Sequence, residues 1–242
     1  MASQLRPQIA DYSHLEPLPD PPRREPDMQQ DQGIYDFRSI LRLSLSHRDD
    51  VLIAGGGYLR REATNDAERF APDCVVTFGV NPKGIVARNG YVINEVGKPP
   101  DFVLEVASRS TGRRDYTVKR DAYAGYGVRE YWRFDPTGGR FHDAAMAGDT
   151  LVDGRYEPLP ISREPGGLLW GYSEVLDLEL CWDGGEFRLR DHATKEFLPT
   201  LEEERAMREA AEAERMAERD ARLAAEERIR RLEAELEQRQ DS

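Results

Sequence analysis

Cysteine is scarce, with two among 242 residues. Cys74 and Cys181 stand in apolar, strand-like surroundings without CxxC spacing, so neither a zinc site nor a disulfide framework is suggested, and two buried thiols are expected. The four histidines are scattered, and none is near the Ser108, Ser110, Thr111 cluster in sequence. A nucleophilic serine there lacks its base, and the cluster reads as a helix cap. No apolar run is long enough to span a bilayer, and the opening "MASQLRPQIADYSHLEPLPDPPRREPD" has no apolar core of a secretory signal. A soluble, cytoplasmic chain without membrane contact is the expectation. Basic charge is also in deficit: 34 Lys and Arg against 46 Asp and Glu give a net charge of -12. That balance argues against indiscriminate nucleic-acid binding and leaves room for a local basic patch.

What is present divides the chain into three. Residues 1–30 are rich in Pro and charge, which predicts a flexible arm outside the core. A domain follows over 31–198. Ile34, Phe37, Ile40, Leu41 and Leu45 recur at helical spacing, and short β-like runs lie at 51–55, 73–80, 91–95 and 101–107 between Gly, Pro and Asn turns. "GRRDYTVKRDAYAGYG" reads as a helix ending at Gly127, and "VREYWRFDP" as a strand stopped by Asp-Pro. Further strands are expected at 150–157, 175–182 and 186–191. The class is α/β or α+β, with helices and strands mixed around one sheet. From Glu202 the chain is almost wholly Ala, Glu, Arg and Leu without Gly or Pro, and pairs such as Glu204 with Arg208 and Glu218 with Arg222 favour one long helix over 200–242. Ile229, Leu232 and Leu236 offer a short apolar seam for a coiled coil and self-association; a solvated single helix is the other reading.

Glu105 interrupts an apolar strand, "DFVLEVA", where an ionised carboxylate is costly unless paired, hydrogen-bonded or bound to a metal. Alternation puts it on the side of Val103 and Ala107, with Phe102, Leu104 and Val106 opposite. Asp73, after a proline at the mouth of another apolar strand, is the nearest comparable acid. On neighbouring strands the two could share Mg²⁺ or Mn²⁺. Tyr116, Lys119, Tyr123 and Tyr126 fall on one helical face, and packing that face on the sheet aims Lys119 toward the carboxylates, where a cation stabilises charge on a phosphate. Each residue also has a plainer reading: Glu105 on an open solvent face, Asp73 capping its turn, Lys119 snorkelling past the tyrosines into water. Arg113 and Arg114 suit phosphate contacts or a solvated helix start equally. "AGGGYL" lacks the Gly-Lys-Ser/Thr ending of a phosphate loop and reads as a tight turn. An Asp/Glu acid–base pair as in glycosidases fits the residue types but not the inward lysine.

"APDCVV" followed by "PPDFVLEVASRSTGRRDYTVKRDAYAGYGVREYWRFDP" resembles the core of the Uma-two family of restriction-endonuclease-like proteins, within the PD-(D/E)XK nuclease superfamily. The resemblance covers about 71–136, and the charged tail is similar to tails of some members. It implies a mixed sheet flanked by helices and metal-dependent hydrolysis of phosphodiester bonds in nucleic acid, DNA above all. Carried over, Asp73 matches the first acid of the motif and Glu105 the second. Ala107 stands where the motif lysine is found, and Lys119 matches the family's relocated lysine on the following helix. The upstream glutamate of many relatives has no good match, Glu62 in "YLRREA" being the nearest candidate. A nuclease-like module without catalysis, binding or assembling through its tail, is the alternative.

Overall fold

The structure is a computed structural model that describes Leu15, Glu16, Leu18, residues 28–64 and residues 69–240. The chain divides into two compact units, Met1–Leu198 and Pro199–Ser242.

The first unit is built on a six-stranded mixed sheet of order β1-β4-β6-β7-β8-β9. It begins with α1 (Met28–Ser44), starting before the expected boundary, and β1 (Val51–Ala54). After β2 (Tyr58–Arg60) and β3 (Arg69–Phe70), β4 (Cys74–Phe78) pairs antiparallel with β1. Asn81 then caps α2 (Pro82–Arg88), its side chain accepting the Gly84 N–H, with proline at the first helical position where no N–H is needed. β5 (Gly90–Val92) is shorter than the expected strand, since α3 (Ile93–Val96) takes the rest.

β6 (Phe102–Val106) and β7 (Glu130–Phe134) lie parallel. A parallel pair needs a crossover, and the helical segment 112–126 supplies it. That segment runs as α4 (Gly112–Arg114), a π-helical turn (Asp115–Lys119) and α5 (Arg120–Tyr126), ending at Gly127 with φ 86°. β8 (Met146–Val152) and β9 (Arg155–Pro158) close the sheet as a hairpin through Asp153-Gly154, both at positive φ, where one strand had been expected. β10 (Ser162–Arg163), β11 (Leu169–Ser173), β12 (Leu178–Asp183) and β13 (Glu186–Asp191) form a second, antiparallel sheet.

Two cores flank the main sheet. Ile34, Phe37, Ile40 and Leu41 of α1 join Phe102, Leu104, Val106, Trp132 and Phe134 on one face, with Leu180, Phe187 and Leu189 of the second sheet. On the other face Val75, Val103 and Tyr131 pack with Tyr123, Tyr126, Leu59 and Tyr91. Trp132 is fully buried in the first of these cores. Both cysteines are buried free thiols. The arm expected to stand clear of the core has exceptions: Leu18 is buried, its N–H donates to Arg88 O at 2.8 Å, and Leu15 packs against the Val103 core.

The second unit is α6 (Leu201–Gln240), capped by a reciprocal pair in which Thr200 N–H donates to Glu203 Oε2 and Glu203 N–H to Thr200 Oγ1. Glu204 pairs with Arg208 as expected, but Arg222 turns to Glu226 rather than Glu218. Ile229 is exposed within this helix; the side chains of Leu232 and Leu236 lie outside the described residues.

Candidate active site

The site grows out of the pairing of β4 with β6. Cys74 opposes Leu104, and one step outward the register sets Asp73 opposite Glu105. Residues directly opposed across antiparallel strands project to one face. Both carboxylates therefore share the face of Val75, Val103 and Tyr131, while Phe102, Leu104 and Val106 enter the other core. Glu105 is only 1% exposed, so the solvent-facing reading is set aside. Asp73 is half-buried, and its Oδ2 accepts the Val106 N–H at 2.7 Å, stitching the strands together where the sheet opens.

The glycine run "AGGG" carries the chain from β1 to β2 directly over Asp73. A Cβ on Gly55 would fall 2.0 Å from Asp73 O, and Gly56 sits at φ 81°. Only glycine tolerates both demands, so the expected tight turn also packs closely against the backbone of the first acid.

The helical segment brings the cation. Lys119 Nζ lies 2.8 Å from Glu105 Oε2 and 2.7 Å from Asp115 Oδ1, and Lys119 is 9% exposed. Snorkelling into water is thereby replaced by a buried ion pair. Tyr123 Oη donates to Glu105 Oε1 at 2.6 Å, so both oxygens of Glu105 have partners. The expected face is altered in one respect: Tyr116 is half-buried, and the fully buried residue there is Asp115. The wider π turn is the reason, because its extra residue per turn swings Tyr116, three positions before Lys119, off the buried side while Asp115, four before, stays on it.

Asp115 was not anticipated. Its Oδ2 meets His142 Nε2 at 3.0 Å, with both side chains wholly buried, and Tyr131 Oη donates to its carbonyl at 2.9 Å. The Asp-x-x-x-Lys spacing was a legible signal for this pair, since i,i+4 charges meet on a helix. His142, from "GGRFHDAAM", carries no local signal. Neither does Gln30 on α1, whose Nε2 donates to Val106 O at 2.5 Å.

Burial dominates the electrostatics. It pushes the Glu105 carboxyl up from 4.5 to about 8, against the pull of the Lys119 ammonium and with the help of Asp73 and Asp115. It likewise pushes Asp73 from 3.8 to about 6, opposed by Lys119 and the Val106 N–H. Burial alone would lower Lys119, yet the carboxylates of Glu105, Asp115 and Asp73 hold it above its ordinary value. Three acids and one lysine leave this corner of the sheet negative.

Other expected residues stay apart from this cluster. Glu62 is exposed, with Asn94 Nδ2 reaching its Oε1 at 3.5 Å, so it does not supply the upstream acid. Arg113 and Arg114 are exposed on α4. Ser108 Oγ accepts the Thr111 N–H at 3.2 Å and meets Thr111 Oγ1 at 2.8 Å, which makes the Ser/Thr cluster a turn into the helix.

A mixed sheet with a βαβ crossover, opposed acids on adjacent strands and a lysine from the crossover helix defines a restriction-endonuclease-like protein. The chain belongs to the Uma2 family, described as "Putative restriction endonuclease", whose pattern matches residues 40–178. That span holds Asp73, Glu105, Asp115, Lys119 and His142, and excludes most of α1 and all of β13 and α6. Among solved structures it is similar to a "putative nuclease belonging to DUF820" from Anabaena variabilis, at 15% identity and a TM-score of 0.41, over 60% of this chain and 73% of that one. No curated protein matches it. No helix among the described residues is long and apolar enough to cross a membrane.

Proposed function

We propose that this protein is a metal-dependent endonuclease that hydrolyses phosphodiester bonds in nucleic acid, DNA in particular. The observation that carries the reading is the opposition of Asp73 and Glu105 on one face, with Lys119 bound to Glu105. The donor set fits Mg²⁺ or Mn²⁺: hard cations take one or two protein carboxylates and complete their shell with water and substrate phosphate. Burial, with a smaller push from the neighbouring acids, raises the proton affinity of both carboxyls, and a divalent cation would compete with those protons for the same oxygens. Such an ion supplies polarisation of the phosphoryl oxygen and a more acidic water.

The residues of the chain have distinct parts in this reading. Asp73 and Glu105 would hold the cation. Tyr123 and the Val106 N–H fix the two carboxyls in direction. Lys119 presents its ammonium to the attacked phosphate, where charge grows as the bond to the leaving oxygen breaks. Arg113 and Arg114 contact backbone phosphates beside the site, and α6 joins copies of the chain into a homo-oligomer in the cytoplasm.

The test is cleavage of supercoiled plasmid and of single-stranded DNA with Mg²⁺ or Mn²⁺, comparing the protein with Glu105→Gln prepared identically. Cutting that disappears with the variant and with chelator supports the nuclease. Equal cutting by both proteins, or none, rejects it.

A second reading, a nuclease-like binding or assembly module without catalysis, has one observation in its favour. Among the described residues no group of three or more His, Cys, Asp or Glu side chains is arranged to hold a metal ion. Calorimetry with Mn²⁺ separates the readings, because the module need show no binding that depends on Glu105.

A further inference from the structure

His142 lies outside the residues assigned a part above, yet it is placed with unusual care. The Asp135 carboxylate gathers its loop by accepting N–H groups from Thr137, Phe141 and His142 at 2.8, 2.7 and 2.9 Å. Trp182 Nε1 donates to Asp135 O at 2.8 Å and ties the same corner to β12. Gly112 lets the loop approach the helical segment, since a Cβ there would fall 2.3 Å from Phe141 O. The result is an imidazole with no solvent exposure, aimed at one oxygen of an equally buried carboxylate.

A carboxylate oxygen can only accept, so Nε2 carries the proton of this bond. That leaves Nδ1 buried without a hydrogen-bond partner. An unmatched buried nitrogen costs stability, and a leucine or phenylalanine would fill the space without it. What the imidazole supplies is direction. With Oδ2 of Asp115 held by His142, Oδ1 is turned toward Lys119 at 2.7 Å, and the ammonium is caught between Asp115 and Glu105.

We propose that His142 is a positioning residue: it locks the Asp115 carboxylate, and through it the Lys119 ammonium, at the edge of the Asp73–Glu105 pair. The inference rests on the reading of Lys119 as the group that meets the phosphate, but the lock itself can be examined without any cleavage.

The experiment is amine-reactive labelling of the folded, full-length chain with acetic anhydride, read residue by residue by mass spectrometry, with the more exposed Lys98 as internal reference. His142→Gln keeps an amide nitrogen near the position of Nε2, whereas His142→Asn falls short of it; both are polar and neither adds volume. Labelling of Lys119 relative to Lys98 should rise several-fold in His142→Asn and in Asp115→Asn, and stay near the parent level in His142→Gln. Equal Lys119 labelling in the parent, His142→Asn and His142→Gln overturns the proposal, as does equal loosening in both His142 variants.

If plasmid cleavage is observed, His142→Asn should lower turnover by roughly 10- to 100-fold, as for other residues supporting a catalytic group, with DNA affinity little changed and His142→Gln restoring most of the rate. Loss of affinity with turnover unchanged overturns it. Absence of cleavage in the parent with the labelling pattern intact would reject the nuclease and leave the lock standing.

Discussion

Lys119 Nζ lies 2.8 Å from Glu105 Oε2, and neither side chain has appreciable access to water. Above about pH 8, where the Glu105 carboxyl has released its proton, removing one partner strands the other charge in the sheet. Lys119→Met should therefore destabilise the fold by about 3 to 5 kcal/mol in urea titration, the range for breaking a buried pair. The double variant Lys119→Met/Glu105→Gln should recover part of that loss, because no unmatched Glu105 charge remains. Additive effects of the two changes would count against a coupled pair.

The carboxyls of Glu105 and Asp73, raised to about 8 from 4.5 and to about 6 from 3.8, keep protons in the folded chain that the unfolded chain has already released. A raised carboxyl makes stability fall as pH climbs from the unfolded value through the folded one. Between about pH 5 and about pH 8 the urea midpoint of the metal-free protein should decline. Glu105→Gln should flatten the upper part of that decline and leave the lower part, due to Asp73. A midpoint that rises with pH throughout would reverse the sign argued here.

Tyr123 Oη donates to Glu105 Oε1 at 2.6 Å in a site without water-facing alternatives. Tyr123→Phe keeps the ring in its T-shaped contact with Tyr131 and deletes only the hydroxyl. The expected cost is about 1 to 3 kcal/mol, the penalty of a buried polar group losing its partner. A thermal or urea midpoint identical to that of the parent would mean that Glu105 finds another donor.

Gly55→Ala places a Cβ against the Asp73 carbonyl, and backbone cannot yield as a side chain does. The Asp73 carboxyl should shift relative to Glu105, so Mn²⁺ affinity measured by calorimetry should fall more than stability. Gly125→Ala, where the added methyl meets nothing within 4 Å, is the matched control.

Deleting residues 199–242 should leave the thermal midpoint of the sheet domain nearly unchanged, since the chain divides at Leu198. Sedimentation should then report a smaller assembly, the apolar side chains Met207, Met216, Leu223 and Ile229 of α6 being exposed in the single chain. An assembly size unaffected by the deletion would place self-association elsewhere.

Much of the site was legible because two periodicities are rigid. The two-residue repeat of a strand put Glu105 on the Val103 side, and the structure keeps it there. The spacing of Lys119, Tyr123 and Tyr126 fixed a buried helical face that meets the sheet. Turn chemistry was read only in part: Gly, Pro and Asn turns were expected between the early strands, but α2 was not anticipated, and the strands expected at 150–157 and 175–182 ran across the Asp153-Gly154 turn and the turn before β12.

The sequence by itself determined that Glu105 and Lys119 could carry charge into the core, and on which side of their strand and helix each would lie, because those properties depend on neighbours a few positions away. Only the tertiary structure decided that Asp73 stands opposite Glu105, that a π turn exchanges Tyr116 for Asp115, and that His142 arrives from a loop 27 residues beyond Asp115. Register between strands and the seating of a distant loop are set by packing and hydrogen bonding across the whole domain, and no local pattern encodes them.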